Sequence, residues 1–203
     1  MKNKITTFIF DIGNVLIFFD NQTIVKKFEK FSGIPAKEIY DSMFDASFIN
    51  SFETGRISEQ TFYQTVCSKL SIKISFPQFK EIFSDIFTPN ASIDKLVKKL
   101  KGKYKLCILS NVGKTHFEYL QKRYPIMNIF DSYYLSYKLH AMKPETRIFN
   151  AVLKGEKVKP GECVYTDDIE RNVLKAKKLG INAIQFKSAN QFKKSLKKFN
   201  INI

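Results

Sequence analysis

Thr6-Thr7-Phe8-Ile9-Phe10 is a β-branched and aromatic run that halts at Asp11-Ile12-Gly13-Asn14. A short apolar run closed by turn-forming residues reads as a buried strand ending in a tight loop. Three later runs share this form. Leu106-Cys107-Ile108-Leu109 precedes Ser110-Asn111, Cys163-Val164-Tyr165-Thr166 precedes Asp167-Asp168, and Ala183-Ile184-Gln185-Phe186 follows the helix stop Gly180. Between them lie amphipathic helices. Ile93, Leu96, Val97 and Leu100 recur at i, i+3, i+4, i+7 behind a Ser92 cap, and Val173, Leu174 and Ala176 sit on a helix ending Lys177-Lys178-Leu179-Gly180. Buried strands alternating with such helices predict an α/β fold, a parallel sheet with helices on both faces.

Residues 17–89 have another texture. Their apolar positions (Ile24, Phe28, Phe31; Phe62, Val66, Leu70; Phe79, Ile82, Phe83, Ile86, Phe87) follow helical spacing with no strand pattern between them. The division expected is a core of residues 1–16 plus 90–203 and a helical insertion of residues 17–89. The lysine-rich end (Lys187, Lys193, Lys194, Lys197, Lys198) reads as the exposed face of a last helix.

The 203 residues suit one domain with one insertion, and 44% hydrophobic against 26% charged residues excludes a disordered chain. Cys67, Cys107 and Cys163 are odd in number and form no C-x-x-C pair, which argues against a disulfide scaffold or zinc ribbon and for a reducing compartment. Residues 5–19 lie behind Lys2 and Lys4 like a secretory signal, but Asp11, Gly13 and Asn14 interrupt them and no A-x-A site follows. No stretch reaches the roughly 18 apolar residues that span a bilayer. A soluble, cytoplasmic protein is expected.

In an open parallel sheet, functional groups collect beyond the carboxyl ends of the strands. Those ends deliver Asp11, then Ser110 and Asn111, then Asp167 and Asp168, while Met142-Lys143-Pro144-Glu145 offers a lysine held extended by the following proline, where a helix can start. Carboxylates converging from two strands repel unless a cation lies between them. A hard divalent ion with oxygen ligands meets that need, and magnesium takes one or two carboxylates plus phosphate oxygens. Ser110, N–H groups around Asn111 and Lys143 would then bind the oxygens of a phosphoryl group, with Asp11 as nucleophile. Singly, each motif is a common turn or helix cap; together, on one rim, they predict a site.

These residues resemble the haloacid dehalogenase superfamily, mostly phosphatases. Phe10-Asp11-Ile12-Gly13-Asn14-Val15-Leu16, Leu109-Ser110-Asn111, Lys143-Pro144-Glu145 and Tyr165-Thr166-Asp167-Asp168-Ile169-Glu170-Arg171-Asn172 match its four motifs. Residues 17–89, with Phe52-Glu53-Thr54-Gly55-Arg56-Ile57-Ser58, resemble its small helical cap. The nearest branch is that of glucose-1-phosphatases and the N-terminal phosphatase domain of epoxide hydrolases. The resemblance implies a Rossmann-like core, an aspartate nucleophile at Asp11, catalytic Lys143, and magnesium held by Asp11, the Gly13 carbonyl and Asp168, with Asp167 supporting or sharing the site. The partner implied is a small phosphorylated metabolite, a sugar phosphate. Most members carry a second aspartate, an acid and base, where this chain has Gly13; such help is worth about 10²–10⁴-fold. Asp20 and His140 are candidate substitutes, although a helix cap or surface residue is the favoured reading of each, and His116 reads as a helix-surface residue. Which of Phe18, Phe19, Met43, Phe44, Phe48 and Phe52 face the crevice is open.

Net charge is +15, yet residues 17–89 hold 8 basic and 9 acidic residues, so the excess belongs to the rest. With only Arg56, Arg123, Arg147 and Arg171, the chain lacks the arginine forks that read guanine, which argues against nucleic acid. A dehalogenase would leave Asp167-Asp168 unexplained, and a phosphomutase needs the missing acid. The rival from another class is a non-catalytic phosphate- or polyanion-binding protein. A positive core around a phosphate site would steer a dianionic substrate inward. Measured against ionic strength, kcat/KM on such a substrate should fall as salt rises; a flat response removes the steering.

Overall fold

The computed structural model describes residues 4–202, so Lys2 lies outside the described residues. In chain order the elements are β1 (Thr7–Phe10), β2 (Ile17–Phe19), α1 (Asn21–Ser32), α2 (Ala36–Met43), α3 (Ala46–Glu53), α4 (Glu59–Lys69), α5 (Phe76–Ser84), β3 (Phe87–Pro89), α6 (Ala91–Leu100), β4 (Lys105–Ser110), α7 (Lys114–Arg123), β5 (Ser132–Leu135), α8 (Ser136–Leu139), α9 (Thr146–Glu156), β6 (Cys163–Asp167), α10 (Glu170–Lys178), β7 (Asn182–Gln185) and α11 (Ala189–Leu196).

Every residue of β1 is buried, and the strand accordingly lies at the centre of a parallel sheet of order β5-β4-β1-β6-β7. Phe8 pairs with Leu106 on one side and Val164 on the other. Side chains alternate across a strand. Phe8 and Phe10 therefore enter one cluster with Ile93, Val97, Phe117 and Phe192 from α6, α7 and α11. Ile9 enters the opposite cluster with Cys107, Phe149, Tyr165 and Ala176, under α9 and α10. Burying a phenylalanine contributes about 1.5–3 kcal/mol, so the aromatic residues of β1 hold both neighbouring strands to one register. This is the α/β, Rossmann-like architecture expected.

The four apolar runs all form strands. β5 was not foreseen: Ser132-Tyr133-Tyr134-Leu135 is an edge strand in which only Leu135 is fully buried, so no apolar run marks it. The cap of α6 is Asn90 rather than Ser92, and the Asn90 amide instead donates to the Val15 carbonyl at 2.9 Å, tying the chain's return to its first turn. Leu174 points to solvent while Val173 and Ala176 are buried. α9 starts at Thr146, two residues beyond Pro144, because Glu145 acts as its N-cap residue and its Oε1 accepts the Met142 N–H at 3.0 Å.

Helices α1 to α5 surround a separate cluster that includes Ile24, Phe28, Ile39, Phe62, Phe79 and Phe83. Their helical texture is as expected, with one correction. Ile17–Phe19 pairs antiparallel with Phe87–Pro89, making a two-stranded ribbon where the chain leaves the core and returns to it. Phe87, counted with the helical pattern, belongs to this ribbon, and Ile86 lies past the end of α5. Three residues per strand are too few to display a period. Met43 and Phe52 are buried, Phe44 and Phe48 pack against the same cluster, and Phe18 and Phe19 are exposed. Among the described residues no helix is long and apolar enough to cross a membrane.

His116 also differs from expectation. On α7 it stacks against Phe83 of α5, centroids 4.3 Å apart, and its Nε2 pairs with the Phe83 carbonyl at 3.0 Å. Burial pushes the imidazole down to about 4, since the charged form loses its water. Folding therefore favours the neutral ring, against an unfolded value of about 6.5. This stability is complete above the unfolded value and is lost as pH falls from about 6.5 toward about 4. Melting at pH 7 and at pH 5 should reveal an acid loss on the order of 1–2 kcal/mol from this group, and His116→Phe should reduce it. Equal acid sensitivity in both proteins counts against the assignment.

Candidate active site

β1 lies between β4 and β6, so the sheet turns its connections in opposite directions on either side of β1 and opens a crevice at its carboxyl edge. Asp11 follows β1, Ser110 ends β4, and Asp167 ends β6. Lys143 reaches this edge from the loop between α8 and α9 and is 3% exposed. Its Nζ lies 2.8 Å from Asp11 Oδ1 and 2.7 Å from Asp167 Oδ2. One ammonium thus joins the two carboxylates delivered by neighbouring strands.

Further bonds fix each member. Asp11 Oδ1 also accepts the Ser110 hydroxyl and the Ile12 N–H, both at 2.7 Å. Asp167 accepts the Tyr165 hydroxyl, the Ile169 N–H at 2.8 Å and the Asn172 amide at 3.1 Å. The Asn111 side chain grips the Lys143 backbone, accepting its N–H at 2.7 Å and donating to its carbonyl at 3.1 Å. Asn111 therefore places Lys143.

The charges follow. Burial raises the Asp11 carboxyl, Lys143 opposes it and Asp167 adds to it, for a value of about 6. Burial also raises Asp167, but the ammonium and its hydrogen bonds overcome this and hold it below the usual carboxylate range. Lys143 is held above its ordinary value: burial lowers it, and the two carboxylates more than offset that.

Asp11, Asp167 and Asp168 each present a carboxylate oxygen, all within 4.8 Å of one another. Asp168 is half-buried, and its Oδ2 accepts the Asn14 amide at 3.2 Å. The turn after β1 uses the Ile12 and Ile17 carbonyls for its backbone bonds, and among the described residues no main-chain N–H donates to Gly13 O. An all-oxygen donor set of this kind fits a hard divalent cation. Because Asp167 is so fully engaged with Lys143, Tyr165 and Asn172, the donors that fit best are Asp11, Asp168 and the Gly13 carbonyl.

Neither proposed substitute for the missing aspartate points here. Asp20 is the exposed N-cap of α1, accepting the Gln22 N–H at 2.9 Å, and His140 Nδ1 pairs with the Thr54 carbonyl at 2.9 Å. Glu53, the last residue of α3, stands outside the set expected from sequence. Burial first, then Asp11, raise its carboxyl against the pull of Lys143, to about 7. Its only sequence signal was its place before Thr54-Gly55. A cavity of about 1060 Å³ opens instead at the amino ends of the strands, beside Ile5, Thr6 and Lys4. Two of its lysines are already paired, Lys101 with Asp131 and Lys105 with Glu156.

The family model of haloacid dehalogenase-like hydrolases matches residues 9–186. The chain belongs to this family. Within it, the chain is 25% identical over 189 residues to the D-ribitol-5-phosphate phosphatase of Bacteroides thetaiotaomicron, covering 89% of this chain and 91% of that one. It is 26% identical over 188 residues to a sesquiterpene phosphatase of Aspergillus oryzae, covering 87% and 88%. A HAD family enzyme of B. thetaiotaomicron, solved in complex with magnesium and inorganic phosphate, superposes with a TM-score of 0.82 at 26% identity, over 91% of this chain and 95% of that one.

In this member of the family, removing the ammonium of the buried clamp strands both carboxylates. Lys143→Met should lower unfolding stability by about 3 kcal/mol in urea titrations, and a loss under about 0.5 kcal/mol, the size of an ordinary surface change, contradicts the clamp.

Proposed function

We propose that this chain is a magnesium-dependent phosphatase that hydrolyses a small phosphorylated metabolite, a sugar phosphate or related polyol phosphate, through an aspartyl-phosphate intermediate. The observation that carries the proposal is the Lys143 ammonium seated between Asp11 and Asp167, with the Ser110 hydroxyl on the same Asp11 oxygen. The relative named for D-ribitol 5-phosphate and the neighbour solved with magnesium and phosphate support it.

The Asp11 carboxylate attacks phosphorus, displacing the metabolite's oxygen. An ammonium has three donors, so Lys143 keeps one N–H for a phosphoryl oxygen while its carboxylate partners hold the other two. Ser110 and the Asn111 main-chain N–H face the remaining phosphoryl oxygens, where transition-state charge develops. Asp11, Asp168 and the Gly13 carbonyl would hold magnesium, which supplies charge neutralisation to those oxygens when bound. Asp167 keeps Lys143 charged and in place. Residues 17–89 act as the cap over the crevice, and residues 4–16 with 90–202 as the catalytic core.

Purified protein should hydrolyse 4-nitrophenyl phosphate with added magnesium, and Asp11→Asn or EDTA should lower the rate at least ~10³-fold. Turnover by the wild type no greater than by Asp11→Asn sinks the proposal and favours phosphate binding without catalysis. Among sugar and polyol phosphates, one should exceed the aryl phosphate in kcat/KM.

A further inference from the structure

We infer that Glu53 is the general acid and base of this site, performing from α3 the proton transfers that the glycine at position 13 cannot. The inference rests on the phosphatase proposal above.

Gly13 has no side chain, and the space a Cβ would enter is taken by the Phe19 ring, 2.8 Å away. A carboxyl from that position would have to displace the ring. A different segment instead carries a carboxyl to the crevice. Residues 52–55 are fastened to the core at four consecutive positions. The Phe52 ring lies against Gly113, where an added Cβ would come within 2.6 Å of it. The Glu53 carbonyl accepts the Ser136 hydroxyl at 2.6 Å, and that same hydroxyl accepts the Val112 N–H at 2.9 Å. Glu53 is thus linked through one side chain to the residue after Asn111. The Thr54 carbonyl pairs with His140. Gly55, at φ +67, approaches the Tyr137 carbonyl so closely that a Cβ would lie 2.4 Å from it. Only glycine combines that conformation with that approach.

The side chain so delivered is half-buried, and among the described residues the bond made by Glu53 outside its helix is that of its carbonyl with Ser136, not of its carboxyl. The charged groups acting on it are Lys143 and Asp11, the two that flank the reacting phosphorus in the proposed mechanism. His140, on the adjoining loop, is turned to Thr54. This half-buried carboxyl lies in the field of the nucleophile and Lys143 and is raised by burial to about 7, where it can both give and take a proton.

The steps balance. As an Asp11 oxygen forms its bond to phosphorus, the bond from phosphorus to the metabolite oxygen breaks and that oxygen takes the Glu53 proton, leaving as an alcohol. The Glu53 carboxylate then removes a proton from water, whose oxygen attacks phosphorus. The Asp11–phosphorus bond breaks, inorganic phosphate leaves, and Asp11 and protonated Glu53 are restored.

The test compares leaving groups by rapid quench in Glu53→Gln. 4-Nitrophenolate departs without a proton, so its burst should stay within about threefold of wild type, whereas the first turnover of ribitol 5-phosphate should slow ~10²-fold or more. Steady-state turnover should fall on both, because water attack loses its base. First-turnover rates that fall equally on both substrates, or on neither, overturn the assignment. If melting shows that Glu53→Gln does not fold, Glu53→Asp carries the same comparison at shorter reach, with the same criterion. Wild-type protein inactive on both substrates overturns the phosphatase proposal and this inference with it. Active wild type with an unselective Glu53 variant overturns this inference alone.

Discussion

Three charges sit together in the interior of this protein, and the ammonium in the middle makes the other two tolerable. Asp11 and Asp167 emerge from adjacent parallel strands, and the sheet leaves them no means of moving apart. Burying an ion costs several kcal/mol, which only close pairing and full hydrogen bonding offset. Lys143 satisfies both carboxylates at once, at 2.8 and 2.7 Å. Much of the surrounding structure serves that contact. Asn111 holds the lysine backbone, Tyr165 and Asn172 hold the Asp167 carboxylate, and Ser110 and the Ile12 N–H hold Asp11. The clamp engages two of the three lysine N–H groups, so the stabilising contact and the proposed chemistry share their atoms.

Residues 17–89 reach this rim without belonging to it. Their helices bury a cluster of their own, and a three-residue ribbon anchors the segment at both ends. Close approach between the segment and the core depends on small residues, Gly113 beneath Phe52 and Gly55 against Tyr137. Where those contacts form, Glu53 comes with them. A catalytic group on such an insertion would be complete only when cap and core are docked, which couples proton transfer to exclusion of water from the site.

The strand-end residues were legible because an apolar run that stops at a carboxylate or hydroxyl marks the point where a buried strand leaves the core. Asp11, Ser110, Asp167 and Asp168 each follow such a run, and the parallel order that aligns those ends follows from the alternation of strands and helices. β5 was not legible, since an edge strand needs no apolar run, and β2 and β3 were too short to show a period. The role of Asn111 was equally hidden. Its side chain engages Lys143, 32 residues away, and nothing local distinguishes that bond from a helix cap. His116 stacks on a residue of another helix, and the helical spacing around it carries no sign of that partner.

By itself, then, the amino-acid order determined the sheet, the residues at its carboxyl edge, and the glycine where a second acid would be expected. Hydrophobic periodicity and turn chemistry act between near neighbours, and those features are all local. Tertiary structure alone decided that Lys143 bridges two carboxylates, that Asp167 is committed to the lysine, and that residues 52–55 dock against the core. Each of these joins residues far apart in sequence, and each has its energy only when burial removes water from groups that the folded chain has already brought within hydrogen-bond distance.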